Sequence, residues 1–250
     1  MTDDQHGRVH RAWLAGGVVL ASIVGLGLYL QSRPAPPLLA VPDRARVAAA
    51  PIAPGGPSAR PGSTSGAGRS LTVSPQWVDH TAAATGVPAP AMHAYGAATL
   101  RLAKEDPSCR LGWSTLAGVG WVESHQGTID GRTLQADGTP SAPITGPALD
   151  GSSKVAAIPG SSGGWARALG PMQFIPSTWE QWAADGDRDG RADPQDIDDA
   201  ALAAARYLCA SGGDLSTGAG WSAAVYSYNH SAAYVRSVYD AAQAYALRDS

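Results

Sequence analysis

The stretch Gly120-Trp121-Val122-Glu123-Ser124-His125 places one carboxylate at the end of a segment that otherwise reads as core. From Leu111 to Val122 no residue is charged. On a helix, Trp113, Leu116, Gly120 and Glu123 fall on one stripe at the i, i+3, i+4 spacing. A lone glutamate there is partly desolvated, and desolvation disfavours the ionised form. Such a group holds a proton near neutral pH and can deliver it to a leaving group. The alternative is a carboxylate at a helix end that points into water.

Working outward, the chain divides by composition. Residues 1–72 carry seven arginines (Arg8, Arg11, Arg33, Arg44, Arg46, Arg60, Arg69) against Asp3, Asp4 and Asp43. The remainder carries 11 basic and 18 acidic groups, which completes the net charge of −3. The acidic excess beyond residue 72 leaves no basic patch and argues against a nucleic-acid binder. Trp13 to Leu30 is uncharged and just long enough to span a bilayer. Arg8, His10 and Arg11 precede it, so the positive-inside rule leaves residues 1–12 in the cytoplasm and everything after Leu30 outside. A cleaved signal peptide is the rival reading, but no small-x-small site closes the run, and we read 13–30 as an uncleaved transmembrane helix. Residues 31–72, dominated by Pro, Ala, Gly, Ser and Arg, form a disordered, semi-extended linker. The folded domain is expected over 73–250, extracytoplasmic and monomeric. Two cysteines on the oxidising side of a membrane fit one disulfide, Cys109 to Cys209.

Within 73–250 no sustained strand-type alternation occurs, so the fold is expected to be mainly α. Ser74-Pro75 opens a helix that ends near Gly86. A second runs from Pro90 to Glu105 and stops before Pro107. Leu111 to Ser124 is the third. Residues 126–170 lose periodicity and form a long irregular insertion, expected to wall a cleft. Ser177 with Glu180 makes a capping box that starts a helix carrying Trp179 and Trp182. Further helices are expected over 196–210, 221–229 and 232–248.

Three ordered motifs then stand out: Glu123-Ser124; Gly170-Pro171-Met172-Gln173-Phe174-Ile175-Pro176-Ser177-Thr178-Trp179; and Tyr226-Ser227-Tyr228-Asn229-His230-Ser231 with Tyr234-Val235. Together they resemble the soluble-lytic-transglycosylase-like domain of bacterial murein lytic transglycosylases, above all the membrane-bound B-type group, over residues 74–247. The resemblance implies a lysozyme-like helical fold and a peptidoglycan substrate, cleaved at the β-1,4 bond between N-acetylmuramic acid and N-acetylglucosamine. It also implies that Glu123 serves as acid and then as base, giving a 1,6-anhydro product. Ser124, Met172, Gln173, Tyr228, Asn229 and Tyr234 are then expected to line the substrate site, although Tyr234 could equally be core at helical spacing with Val235 and Val238.

A hydrolase of the same bond usually needs a second carboxylate at defined separation. Asp130, Asp137 and Asp150 in the irregular stretch keep a muramidase open, and a non-catalytic wall-binding module is the rival outside enzymes. Among eight Trp, eight Tyr and one Phe, Trp165 in its Gly-rich surroundings is assigned to the cleft. Trp113 and Trp121 are assigned to the core.

Asp185 to Asp196 has the one, three, five, nine and twelve spacing of a calcium loop, with Gly190 at the turn. Asp185, Asp187, Asp189 and Asp196, with the Arg191 carbonyl, are the expected ligands of a structural Ca²⁺. Asp196 stands where such loops have Glu, which leaves Mg²⁺ or Na⁺ open as well. The alternative is a solvated turn in which Asp196 caps the next helix. B-type lytic transglycosylases carry such a loop.

Overall fold

The computed structural model describes residues 72–152, 157–161 and 163–249. The expected transmembrane helix at 13–30 and the linker through residue 71 lie outside the described residues. No described helix is long and apolar enough to cross a membrane.

Among the described residues there are seven α-helices and one two-stranded sheet, so the architecture is mainly α as the missing alternation implies. Helix α1 (Pro75–Thr85) starts with proline at its first position and the Ser74 side chain accepting the Trp77 N–H, and ends at Gly86 in the left-handed region. Helix α2 (Ala89–Glu105) buries Met92, Tyr95 and Leu102. Helix α3 (Trp113–Ser124) carries the quoted stretch, and every residue from Trp113 to Gly120 is buried. It begins two residues later than expected because Gly112 is extended, at φ −97° and ψ 146°.

The irregular stretch after α3 is less structureless than its composition reads. A 3₁₀ turn spans Ile129–Gly131. Strand β1 (Thr145–Ala148) pairs antiparallel with β2 (Arg167–Leu169), Thr145 opposite Leu169 and Ala148 opposite Arg167, with a register shift between them. A tight turn from Leu169 to Phe174 follows, closed by reciprocal backbone bonds between those two residues.

Helix α4 (Pro176–Trp182) corrects the expected capping box. Proline at the first helical position, its φ already preset, moves the start ahead of Ser177, so Ile175 is the N-cap and no side chain caps the helix. Glu180 is exposed. Helices α5 (Ile197–Gly212), α6 (Gly218–Asn229) and α7 (Ala232–Arg248) begin at Asp196, Thr217 and Ser231, whose side chains accept from Asp198, Gly220 and Tyr234 N–H groups.

Packing is centred on α3, which lies against α7, while α2 lies against α5 and α5 against α6. Gly118 makes the α3–α7 approach feasible, since a Cβ there would meet the Val238 carbonyl oxygen at 2.7 Å and Ala242 Cβ at 3.1 Å. Cys109 and Cys209 form the expected disulfide, tying the segment before α3 to α5. A second tie between α2 and α5 comes from Glu105, which accepts from both Arg101 and Arg206.

Candidate active site

Glu123 sits in the last turn of α3, after the helix has left its fully buried stretch. The residue is half-buried, and its carboxylate accepts a hydrogen bond from the Tyr234 hydroxyl at 2.6 Å. Burial pushes its pKa up to about 7, and the Tyr234 bond pulls in the opposite direction by favouring the charged form. The group is thus dry enough to hold a proton near neutrality and open enough to be reached.

Tyr234 is buried in the first turn of α7, and Tyr228 of α6 stacks on it with ring planes 3° apart and centroids 6.4 Å apart. Burial and the nearby Glu123 charge raise both phenols well above 10, so both remain hydrogen-bond donors at all working pH values. Tyr228 donates to the Met172 carbonyl at 2.8 Å. Ser124 donates to the Pro171 carbonyl at 2.6 Å and accepts from the Gly127 N–H. The turn of residues 170–173 is therefore held by the residue beside Glu123 on α3 and by α6.

This arrangement changes the roles expected for two residues. Ser124 is buried with its hydroxyl committed to the protein, so it anchors the turn and does not face a ligand. Met172 has no exposed surface and belongs to the core through its side chain. Gln173 is half-buried at φ 49°, its amide donating to the Gly170 carbonyl. A Cβ on Gly146 of β1 would lie 2.6 Å from its Oε1, so the sheet presses on this side chain. Asn229 is exposed at the end of α6.

Trp113 is core, as expected, with its ring edge-on to Trp77. Trp121 is not. It is 45% exposed and lies against His125 with ring centroids 4.4 Å apart and planes tilted by 33°, because it lies on the outer side of the one turn of α3 that reaches the surface. Trp165 is 47% exposed, opposite Pro159 in a backbone bridge.

The acidic loop is organised around a residue outside the twelve-residue pattern. Oxygens of Asp185, Asp187 and Asp199 lie within 4.8 Å of one another. Asp199 is buried, and its two oxygens accept from the Gly186 and Asp193 N–H groups. Burial raises its pKa, and the charges of Asp187 and Asp185 add to the rise. Three convergent carboxylates, one of them buried, fit a hard cation. Asp189 and Asp196 stand apart from this group: Asp189 accepts from the Arg191 N–H, while Asp196 caps α5, which is the alternative the sequence left open. Burial, with the nearby acidic charges, pushes Asp196 up to about 7. Nothing in the helical spacing before residue 196 points to Asp199, which comes three residues past the end of the loop motif.

The acidic loop also supports the turn beside Glu123. Gly170, at φ +74°, lies so close to Pro194 that a Cβ would overlap its carbonyl oxygen at 1.5 Å. The Gln195 side chain exchanges two hydrogen bonds of 2.9 Å with the Ile144 backbone, whose carbonyl also accepts the Gly170 N–H.

Residues 150–226 match the family model of the transglycosylase SLT domain. That stretch contains Gln173, the acidic loop and Tyr226, while Glu123, Tyr228 and Tyr234 lie on either side of it. Two solved structures of the lytic transglycosylase Slt35 of Escherichia coli, one in complex with bulgecin A and one in complex with calcium, are similar to the chain. Each has 17% identity and a TM-score of 0.42, covering 70% of this chain and 76% of the other. No curated protein matches.

Proposed function

We propose that the chain is a peptidoglycan lytic transglycosylase of the membrane-bound B type, with a lysozyme-like arrangement of helices around its cleft. It cleaves the β-1,4 bond between N-acetylmuramic acid and N-acetylglucosamine. The observation that carries this reading is Glu123, a half-buried carboxylate poised near neutral pH on the Tyr234 hydroxyl. The SLT-domain match over residues 150–226 supports the substrate class.

Protonated Glu123 gives its proton to the glycosidic oxygen as the bond from C1 breaks, and the N-acetylglucosamine end leaves as an alcohol. The Tyr234 hydroxyl stabilises the carboxylate that results. That carboxylate then takes the proton of the muramoyl C6 hydroxyl while its oxygen bonds to C1. The product is 1,6-anhydro-N-acetylmuramic acid, and Glu123 ends protonated as it began. Burial and Tyr234 are the two influences that set its pKa, and no carboxylate is among them. Asp130, Asp137 and Asp150 are exposed, Asp130 paired with Arg132 and the other two each accepting from its own turn, which favours a one-carboxylate reaction over hydrolysis by a pair. Gln173, Asn229 and Trp165 are proposed to meet the glycan.

The Asp185–Asp187–Asp199 group would hold a structural Ca²⁺ that neutralises the three carboxylates and stiffens the loop under Gly170. The domain is proposed to act as a monomer outside the cytoplasmic membrane, on the tether and helix of residues 13–72. Mass spectrometry of peptidoglycan digested by the full chain tests the activity. Anhydromuramoyl ends are expected; reducing ends, or intact sacculi, overturn the proposal.

A further inference from the structure

Gln126, three residues beyond Glu123, is buried to 2% exposure and lies in the left-handed region at φ 64°. Its side-chain amide has partners on three elements. Oε1 accepts from the Tyr95 hydroxyl of α2 at 2.5 Å, and Nε2 donates to the Ala117 carbonyl of α3 at 2.9 Å and to the Tyr245 hydroxyl of α7 at 3.1 Å. Its own N–H donates to the Gly120 carbonyl at 2.9 Å, closing the end of α3. Room for this junction exists because residue 120 is glycine: a Cβ there would lie 2.0 Å from the Tyr95 oxygen and 2.7 Å from Gln126 Oε1.

A buried glutamine in a strained backbone region, with both ends of its amide satisfied, is a costly feature that a plain core position would not require. Its location explains it. Tyr245 lies on the buried face of α7 with Tyr234, Val238 and Ala242, so the element that holds Gln126 also carries the donor to Glu123. The same glutamine grips α3 at the Ala117 and Gly120 carbonyls, in the two turns that lead up to the carboxylate.

We infer that Gln126 is a positioning residue that fixes the last turn of α3 against α7 and thereby sets the Tyr234–Glu123 hydrogen bond. This inference rests on Glu123 being the acid proposed above. The titratable groups facing that carboxylate are the Tyr234 phenol from α7 and the Tyr228 phenol from α6. Tyr95 from α2 acts on Tyr228. The Tyr234 bond lowers the Glu123 pKa, so loosening the junction with the core kept dry weakens that bond and should raise the pKa.

The test is a Gln126→Met variant of the full chain, which keeps length and packing but removes the amide, assayed on peptidoglycan and by ¹³C NMR titration of the Glu123 carboxyl. A tenfold to hundredfold fall in kcat is expected with KM within about twofold, as misplacement of a reacting group by ~1 Å produces. The Glu123 midpoint should move to higher pH in the same sense as in Tyr234→Phe. The double variant should add nothing to the Tyr234→Phe shift, because both act on one bond. If Gln126→Met does not fold, Tyr245→Phe, which removes one hydroxyl, should give a smaller shift of the same sign. A wild-type midpoint in these variants, or additivity in the double variant, overturns the inference. Turnover retained by Glu123→Gln would instead overturn the assignment of the acid.

Discussion

The Tyr234 hydroxyl and the Glu123 carboxylate, 111 residues apart in the chain, meet at 2.6 Å where α7 crosses the end of α3. The bond opposes the effect of burial on the carboxylate, so the acid is held near neutrality by two influences of opposite sign.

A general acid acts while protonated, so turnover should fall as pH rises through about 7. Replacing Glu123 by Gln keeps the shape and removes the proton, and should lower kcat by roughly 10²- to 10⁴-fold. In Tyr234→Phe the lowering influence is gone, and the falling limb should move to higher pH. Initial rates between pH 5 and 9 on soluble glycan strands check both expectations.

The same group makes stability depend on pH. Its folded pKa, about 7, lies above the ordinary 4.5. Its contribution is therefore fully present below 4.5 and is lost as pH rises through 7. That difference is worth about 3 kcal/mol at most. Asp196 and Asp199 are also raised, so the wild-type profile combines several groups. The Glu123→Gln variant isolates one. It should unfold at higher denaturant than wild type at pH 8 and lose most of that advantage at pH 4.

Gly118→Ala should separate α3 from α7, because the added methyl meets the Val238 carbonyl oxygen at 2.7 Å. Overpacking of this kind costs about 1–3 kcal/mol. Activity should fall by more than the loss of folded protein explains, since the contact lies between the helices that carry Glu123 and Tyr234. Urea denaturation and specific activity on the same sample separate the two effects.

For the cation, added Ca²⁺ should raise the melting temperature, and chelator should reverse the gain. Asp199→Asn should remove the Ca²⁺-dependent shift, whereas Asp196→Asn should retain it. An unmoved melting temperature in wild type would eliminate the cation from this loop.

Reducing the Cys109–Cys209 bond, or replacing both residues by Ser, should destabilise the domain by ~4–5 kcal/mol, as the chain-entropy model gives for a loop of this length. Guanidinium unfolding with and without reductant measures it.

Much of this was legible because it depends on local chemistry. The uncharged run before Glu123 revealed a buried helix with a carboxylate at its exit, and the caps at Ser74 and Ser231 lie within a residue of expected helix starts, whereas Thr217 caps its helix four residues ahead of the expected start at 221. What stayed hidden depends on contacts across the chain. Ser177 looks like a cap until Pro176 takes the first helical position, and Trp121 looks like core until the surface of α3 is known. Gln126 carried no periodic signal at all. The nearest hint was Gly120, an unexplained small residue on the buried stripe, whose missing Cβ makes sense only once Tyr95 and Gln126 are seen to fill the space. Asp199 was missed for the converse reason, since the calcium-loop spacing supplied a complete set of ligands without it.

The bond between Cys109 and Cys209 closes a covalent ring 100 residues around that contains Glu123, Gln173 and the acidic loop. A protease that clips at the exposed residues 150–152, just after β1, would open that ring without releasing a fragment. The nicked enzyme would migrate as one chain until reductant separates it into two pieces. Such a molecule can be cut once and keep Glu123 and the turn of residues 170–173 in the same body.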